Sequence, residues 1–286
     1  MFLRRYVFPA ACMIICGLPA GAAGKLQIEE ARVAQFEDGP TPPANFQFEP
    51  GETVYFSFLL TGYQVKETDD EARSIQLHYR IEVRDPYGVL AEEPKTSKLA
   101  TGLSREDRHW DPKVRDAITV PAFAAGGVYR ITVEAVDELS GSRSVLDTPF
   151  HVGGLAADPA AALAIRNFRF LRQQEDGQGL VAPAYRPGDT LWARFDIAGF
   201  KLGDKNRVDV DYGLRVLRPS GEELYSLPVA VSEKVESFYP HRWAPGELSL
   251  RVDANLKPAH YTLVVTAHDR VGGGSVEVRE GFDVER

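Results

Sequence analysis

The chain repeats itself, and that repeat limits the possible folds more than any motif within it. Residues 48–63, FEPGETVYFSFLLTGY, lie over residues 185–200, YRPGDTLWARFDIAGF, at an offset of 137 without a gap. Pro50-Gly51 meets Pro187-Gly188, and Gly62 meets Gly199. The register then changes by four, so that 75–88 lie over 208–221 at an offset of 133. There Tyr79 matches Tyr212, Pro86 matches Pro219 and Gly88 matches Gly221. His109-Trp110-Asp111-Pro112 lies over Arg242-Trp243-Ala244-Pro245 at the same offset. Residues 129–137 and 150–152 lie over 261–269 and 282–284 at 132. Four blocks in one order are read as a duplication. The length changes fall in polar loops, where insertions cost least. Each copy, at roughly 125 residues, is long enough to own a core. The expected division is copy 1 over 24–152, a Gly- and Ala-rich linker over 153–162, and copy 2 over 163–286.

The hydrophobic period inside each copy is two. Ile75, Leu77, Tyr79, Ile81 and Val83 alternate with Gln76, His78, Arg80, Glu82 and Arg84. Such alternation is a strand with one dry face. Copy 2 repeats the inward set as Val208, Val210, Tyr212, Leu214 and Val216. Leu191, Ala193, Phe195 and Ile197 form another such series, as do Tyr129, Ile131, Val133 and Ala135. Pro50-Gly51, Asp85-Pro86-Tyr87-Gly88, Gly126-Gly127 and Ser140-Gly141 supply turns between the runs. No helical stripe is visible. The expected fold class is all-β: about seven strands per copy, in two tandem antiparallel sandwiches.

Gly127-Val128-Tyr129 opening a strand, a turn, and a strand closing on Phe150-His151-Val152 resemble the last hairpin of immunoglobulin-like and fibronectin type III-like domains. Tyr129 resembles their tyrosine corner. The Pro50-Gly51-Glu52-Thr53-Val54 opening and the Asp85-Pro86-Tyr87-Gly88 turn also resemble macroglobulin-like bacterial domains. The resemblance covers most of each copy and rests on turn and core residues. It implies a sandwich fold and, by analogy, adhesion, carriage or assembly. The cysteine pair of disulfide-bonded immunoglobulin domains and the thioester cysteine of complete macroglobulins are both absent.

The N-terminus carries an address. Arg4 and Arg5 precede an apolar run over 7–18, and Ala20-Gly21-Ala22 follows. This is the grammar of a secretory signal peptide over 1–23. The run is too short for a membrane span, which needs about 20 apolar residues. Cys12 and Cys16 are the only cysteines, and neither stands in a lipoprotein context. Cleavage leaves a cysteine-free chain held by packing alone. The expected location is the periplasm or the exterior, with no transmembrane span in the mature chain.

Charge narrows the partners. The net charge is −8. Without Arg4 and Arg5, 31 basic residues face 41 acidic ones, a balance of −10. That argues against nucleic acid. Gly177-Gln178-Gly179-Leu180-Val181-Ala182 mimics a dinucleotide fingerprint, but Pro183 and the lack of a helix deny it its context. No phosphate loop, G-x-S-x-G or H-E-x-x-H occurs. No cofactor and no catalytic residue are assigned. Asp107, His109 and Asp111 alternate and could share a face toward a divalent metal, yet copy 2 has Pro240, Arg242 and Ala244 there, and a solvated loop explains them. Asp69-Asp70-Glu71 reads as a solvated tip, Asp209 and Asp211 as the wet side of a strand, and Asp137 and Asp269 as turn caps. Trp110 and Trp243 are read as buried sandwich aromatics whose N–H groups find backbone acceptors.

Three functions remain. The leading one is a non-catalytic binding, spacer or assembly module for an envelope or extracellular protein. The second is a pair of carbohydrate-binding modules using exposed aromatics, with Tyr63, Trp192 and Phe200 as ligand-binding candidates. The third is a hydrolase or inhibitor whose residues sit in the long loops 64–74 or 91–116.

Overall fold

The computed structural model describes residues 25–67, 72–104, 106–107, 110–154 and 162–286. The leader read over 1–23 and most of the 153–162 linker lie outside them. The described chain is all-β, with one 3₁₀ turn at Asp204–Asn206. No helix there is long and apolar enough to cross a membrane.

The strands run β1 (Gln27–Ala34), β2 (Thr53–Thr61), β3 (Lys66–Glu67), β4 (Arg73–Arg84), β5 (Lys95–Leu103), β6 (Lys113–Thr119), β7 (Gly127–Asp137) and β8 (Arg143–Val152). They continue as β9 (Ala164–Leu171), β10 (Ala184–Tyr185), β11 (Thr190–Ala198), β12 (Val208–Leu217), β13 (Glu223–Val235), β14 (Trp243–Arg251), β15 (Ala259–Asp269) and β16 (Ser275–Val284). In the first sheet pair, β1-β2-β6 opposes β4-β7-β8, with β3 and β5 also paired to β4. In the second, β9-β11-β14 opposes β13-β12-β15-β16, and the short β10 pairs parallel to β16. All other pairings between named strands are antiparallel.

Alternation puts the dry faces inward. Ile75, Leu77, Ile81 and Val83 on β4 are buried, as are Leu191, Ala193, Phe195 and Ile197 on β11. Each sheet pair closes on its own cluster, one around Phe56, Phe58, Ile131 and Phe150, the other around Phe195, Leu214, Val265 and Phe282. Each large apolar side chain so buried contributes about 1.5–3 kcal/mol. One residue crosses that division: Tyr239, from the connection between β13 and β14, is buried in the first cluster.

Matching positions of the two pairs make matching bonds. Tyr129 Oη donates to the Ala125 carbonyl at 3.1 Å, and Tyr261 Oη to the Lys257 carbonyl at 2.8 Å. Asp137 caps its hairpin through Leu139 N and Ser140 Oγ, and takes Gln64 N at 2.8 Å. Asp269 likewise takes Val271 N, Gly272 N and Lys201 N. The tryptophans do not match. β6 faces β2 with Lys113 opposite Leu59, while β14 faces β11 with Pro245 opposite Asp196. Leu59 and Asp196 are themselves 137 apart, so the true offset here is 132 and Trp243 stands over Asp111. A one-residue slip moves a side chain to the opposite face.

Candidate functional site

Two corners of the molecule are built to one plan and filled differently. In the first sheet pair the corner is made by the Asp85-Pro86-Tyr87-Gly88 turn and residues 123–125. Asp85 Oδ1 accepts Tyr87 N and Val89 N, both at 2.8 Å, and Gly88 closes the turn at φ 80°. The free oxygen, Oδ2, faces the second sheet pair. Tyr239 Oη donates to it at 2.9 Å and Arg242 Nη2 at 3.2 Å. The Asp85 side chain is 0 % exposed and that of Arg242 9 %. Tyr239 Oη also lies 3.4 Å from Tyr129 Oη and accepts from Ala125 N at 3.5 Å. The Arg242 guanidinium sits 5.3 Å over the Tyr87 ring, a favourable cation–π placement. Phe123 meets the ring of His241 at 4.6 Å and that of Trp243 edge-on at 5.2 Å.

Burial sets the titration of this corner. It pushes the Tyr239 and Tyr129 phenols above the usual tyrosine value. It pulls His241, whose ring packs on Phe123, below the usual histidine value. A buried ion pair of this kind is a device for fixing geometry: removing either partner strands the other charge away from water.

In the second sheet pair the same corner stands open. Arg218 N donates to the Glu222 carbonyl and Gly221 N to the Arg218 carbonyl, the pattern of Asp85 with Val89 and Gly88. Arg218 therefore occupies the place of Asp85, and Lys257, the acceptor for Tyr261, the place of Ala125. The depression beside them has a volume of about 1070 Å³. Val216, Leu224, Leu256 and Phe282 give it an apolar floor; Arg218, Arg251 and Lys257 stand around it with Asp253. Arg218 Nε lies 3.7 Å from Glu222. Among the described residues Arg251 and Lys257 have no ion-pair partner. The depression runs into β13, an edge strand whose outward Tyr225, Leu227 and Val229 are 44 %, 40 % and 47 % exposed. Pro228 within that strand lacks a donor and blunts the free edge.

The residues singled out in the sequence do not converge. Tyr63 is half-buried in the first sheet pair, its hydroxyl donating to the Trp110 carbonyl. Burial raises its phenol pKa. Trp192 is half-buried on β11, opposite Leu171 and Ser249. Phe200, put forward as an exposed contact, is buried in the second core. The tryptophan reading needs correction twice: Trp110 is exposed at 36 %, and Trp243 Nε1 is buried without an acceptor among the described residues. Asp211, read as the wet side of a strand, is buried and bonds Ser232 Oγ and Arg270. Asp107 caps its own loop by accepting Ser104 Oγ at 2.7 Å. His109 and Asp69-Asp70-Glu71 lie outside the described residues. Among those described, no three His, Cys, Asp or Glu gather as a metal site.

Tyr239, Arg242 and the open corner were missed. One signal was available: Phe238-Tyr239-Pro240-His241-Arg242-Trp243 is an aromatic-rich connection, unlike a solvated loop. No family model and no curated protein matches the chain.

Proposed function

We propose that this chain is an exported, non-catalytic binding and assembly module of two tandem immunoglobulin-like sandwiches, acting on another protein of the envelope or exterior. The strand order supports the sandwich reading: a three-stranded sheet opposes a five-stranded one in each sheet pair, β5 and β13 lying beside β4 and β12 and the short β3 and β10 completing the larger sheets. Paired tyrosine corners add to it. The sequence address over 1–23 supports export.

The observation that carries the binding role is the open corner of the second pair. Its apolar floor, cationic rim and adjoining exposed edge strand offer a protein loop both burial and charge, as interface cores and rims do. The buried carboxylates support a non-catalytic reading. Asp85, Asp137, Asp211 and Asp269 are all engaged as hydrogen-bond acceptors in turns, sheets or the corner between the pairs.

The test is site-specific photo-crosslinking from Tyr225 and Leu227 in cells, followed by mass spectrometry. The expected result is a protein adduct that disappears when Arg218 and Lys257 are reversed to Glu. Adducts with glycan alone, or a turnover activity abolished by one carboxylate substitution, overturn the reading.

A further inference from the structure

We propose that the free edge of β14 accepts one more strand, an extended segment of the partner protein with apolar residues at alternate positions and a carboxylate at one end. This deepens the binding reading above by naming how the partner is held, and rests on it.

Alternation in the ladder identifies the free main-chain groups. Val252 N donates to the Asp189 carbonyl, so Val252 bonds toward β11. In an antiparallel pair every second residue turns its N–H and C=O away from the partner strand. Glu247, Ser249 and Arg251 therefore face the free edge of β14. Glu247 N agrees, donating to Tyr212 Oη of β12 at 3.3 Å. Among the described residues nothing bonds the edge-facing main chain of Ser249 or Arg251. Pro245, on the same edge, lacks an N–H, so the open stretch is Glu247 to Arg251.

The first sheet pair has the same edge closed. Val120 N donates to the Glu52 carbonyl, so Ala117 and Thr119 turn away from β2. Lys95 Nζ donates to the Ala117 carbonyl at 2.8 Å, and the Glu92 carboxylate accepts from the Thr119 N–H. The two side chains are themselves paired at 3.0 Å. One donor and one acceptor thus take the place of a neighbouring strand. Ala117 and Thr119 correspond to Ser249 and Arg251 at the offset of 132.

Copy 2 has no such pins. Lys95 faces Ile81 and Leu227 faces Leu214, and Ile81 and Leu214 are aligned at 133, so Leu227 holds the place of Lys95. Tyr225, opposite Val216, is its exposed neighbour on the same face. Since β14 lies over β12, β13 overhangs it one strand further out. The cleft between them offers unpaired main-chain groups on one wall and apolar side chains on the other. An uncovered edge is a template for another chain, and main-chain groups at strand spacing are answered by another main chain. Its alternate side chains lie on Tyr225 and Leu227. Charge fixes one end. Arg218, Arg251 and Lys257 stand there with Glu222 and Asp253, so one positive charge is left for the partner to meet.

The probe is a library of random displayed peptides, selected on the full exported chain. A parallel selection uses Tyr225→Glu with Leu227→Lys, which installs the pins of the first pair. Both positions are exposed, and an unchanged circular dichroism spectrum checks that folding survives. The expected peptides alternate apolar residues, carry an acid near one end, and bind the double variant about tenfold or more weakly. They should slow hydrogen exchange at the Ser249 and Arg251 amides, whereas the Thr119 amide is slow without them. Methylating the peptide amides that pair with β14, with side chains unchanged, should abolish binding. Equal selection on both chains, or bound peptides that leave the two amides unprotected, overturns the proposal. So does self-association of the parent in sedimentation velocity that the double variant abolishes, which gives the edge to a second copy. If a protein adduct still forms at Tyr225 while no peptide protects the edge, the binding reading stands and strand addition falls. Glycan adducts alone remove both.

Discussion

Arg242 Nη2 and Asp85 Oδ2 lie 3.2 Å apart with both side chains withdrawn from water, although 157 residues separate them. Two sheet pairs with separate cores are joined through this contact and through Tyr239, which shares the same carboxylate oxygen. A half-buried aromatic seam of Phe123, His241 and Trp243 flanks the pair.

Arg242→Ala leaves Asp85 charged and without its cation, and Asp85→Ala leaves Arg242 likewise. Each should cost about 3–5 kcal/mol of folding stability. The double variant should cost less than the sum of the two. Urea unfolding measures all three, and losses below about 1 kcal/mol for both single variants would show that water already screens the pair.

Raised phenol pKa values make the protein sensitive to alkali. Burial lifts Tyr129 and Tyr239 above the ordinary 10.0, and Tyr185 up to about 12. Unfolded tyrosines ionise first, so the stabilisation is complete below pH 10 and is lost as pH rises through the folded values. In a phenolate absorbance titration these three should ionise only together with unfolding. Early, reversible ionisation of Tyr239, assigned with Tyr239→Phe, would contradict its burial.

Period two made the strands legible, because a sheet with one dry face cannot hide its alternation. Turn residues made the hairpins legible for the same local reason. The corner between the sheet pairs was not legible. Asp85 looked like an ordinary turn residue, and its turn bonds use only Oδ1. Tyr239 and Arg242 sit where hydropathy reads a loop, and their burial comes from a surface far away in sequence. The tryptophans misled because Trp-x-Pro in both copies suggested one alignment, while the β6 and β14 registers obey another.

Asp38 should titrate far below other exposed carboxylates. Hydrogen bonds from Arg115 and then Lys113 lower it from 3.8 to about 2. Its contribution is present above pH 3.8 and lost as pH falls through 2. Arg115→Ala should move the Asp38 carbon resonance midpoint upward in an NMR titration, and high salt should move it the same way. An unchanged midpoint would exclude Arg115 as the cause.

Gly246→Ala should destabilise the second sheet pair. A Cβ there would lie 2.1 Å from Phe195 Cε2, and Phe195 is held between Phe168 and Tyr212. Overpacking of this kind costs about 1–3 kcal/mol. Gly177→Ala, where a Cβ meets nothing within 4 Å, should stay within about 0.5 kcal/mol of the parent. Equal thermal midpoints for the two variants would show that Phe195 can move aside.

The sharing of Asp85 also sets an order of events. Asp85 leaves the ribosome 154 residues ahead of Tyr239, which is about 8–30 s at ordinary elongation rates. Throughout that interval the first sheet pair must survive with its acidic corner wet. The carboxylate is dehydrated only when Tyr239 and Arg242 arrive, so a product truncated before them carries, besides an unfinished second sheet pair, a hydrated anion on a first sheet pair that is otherwise complete.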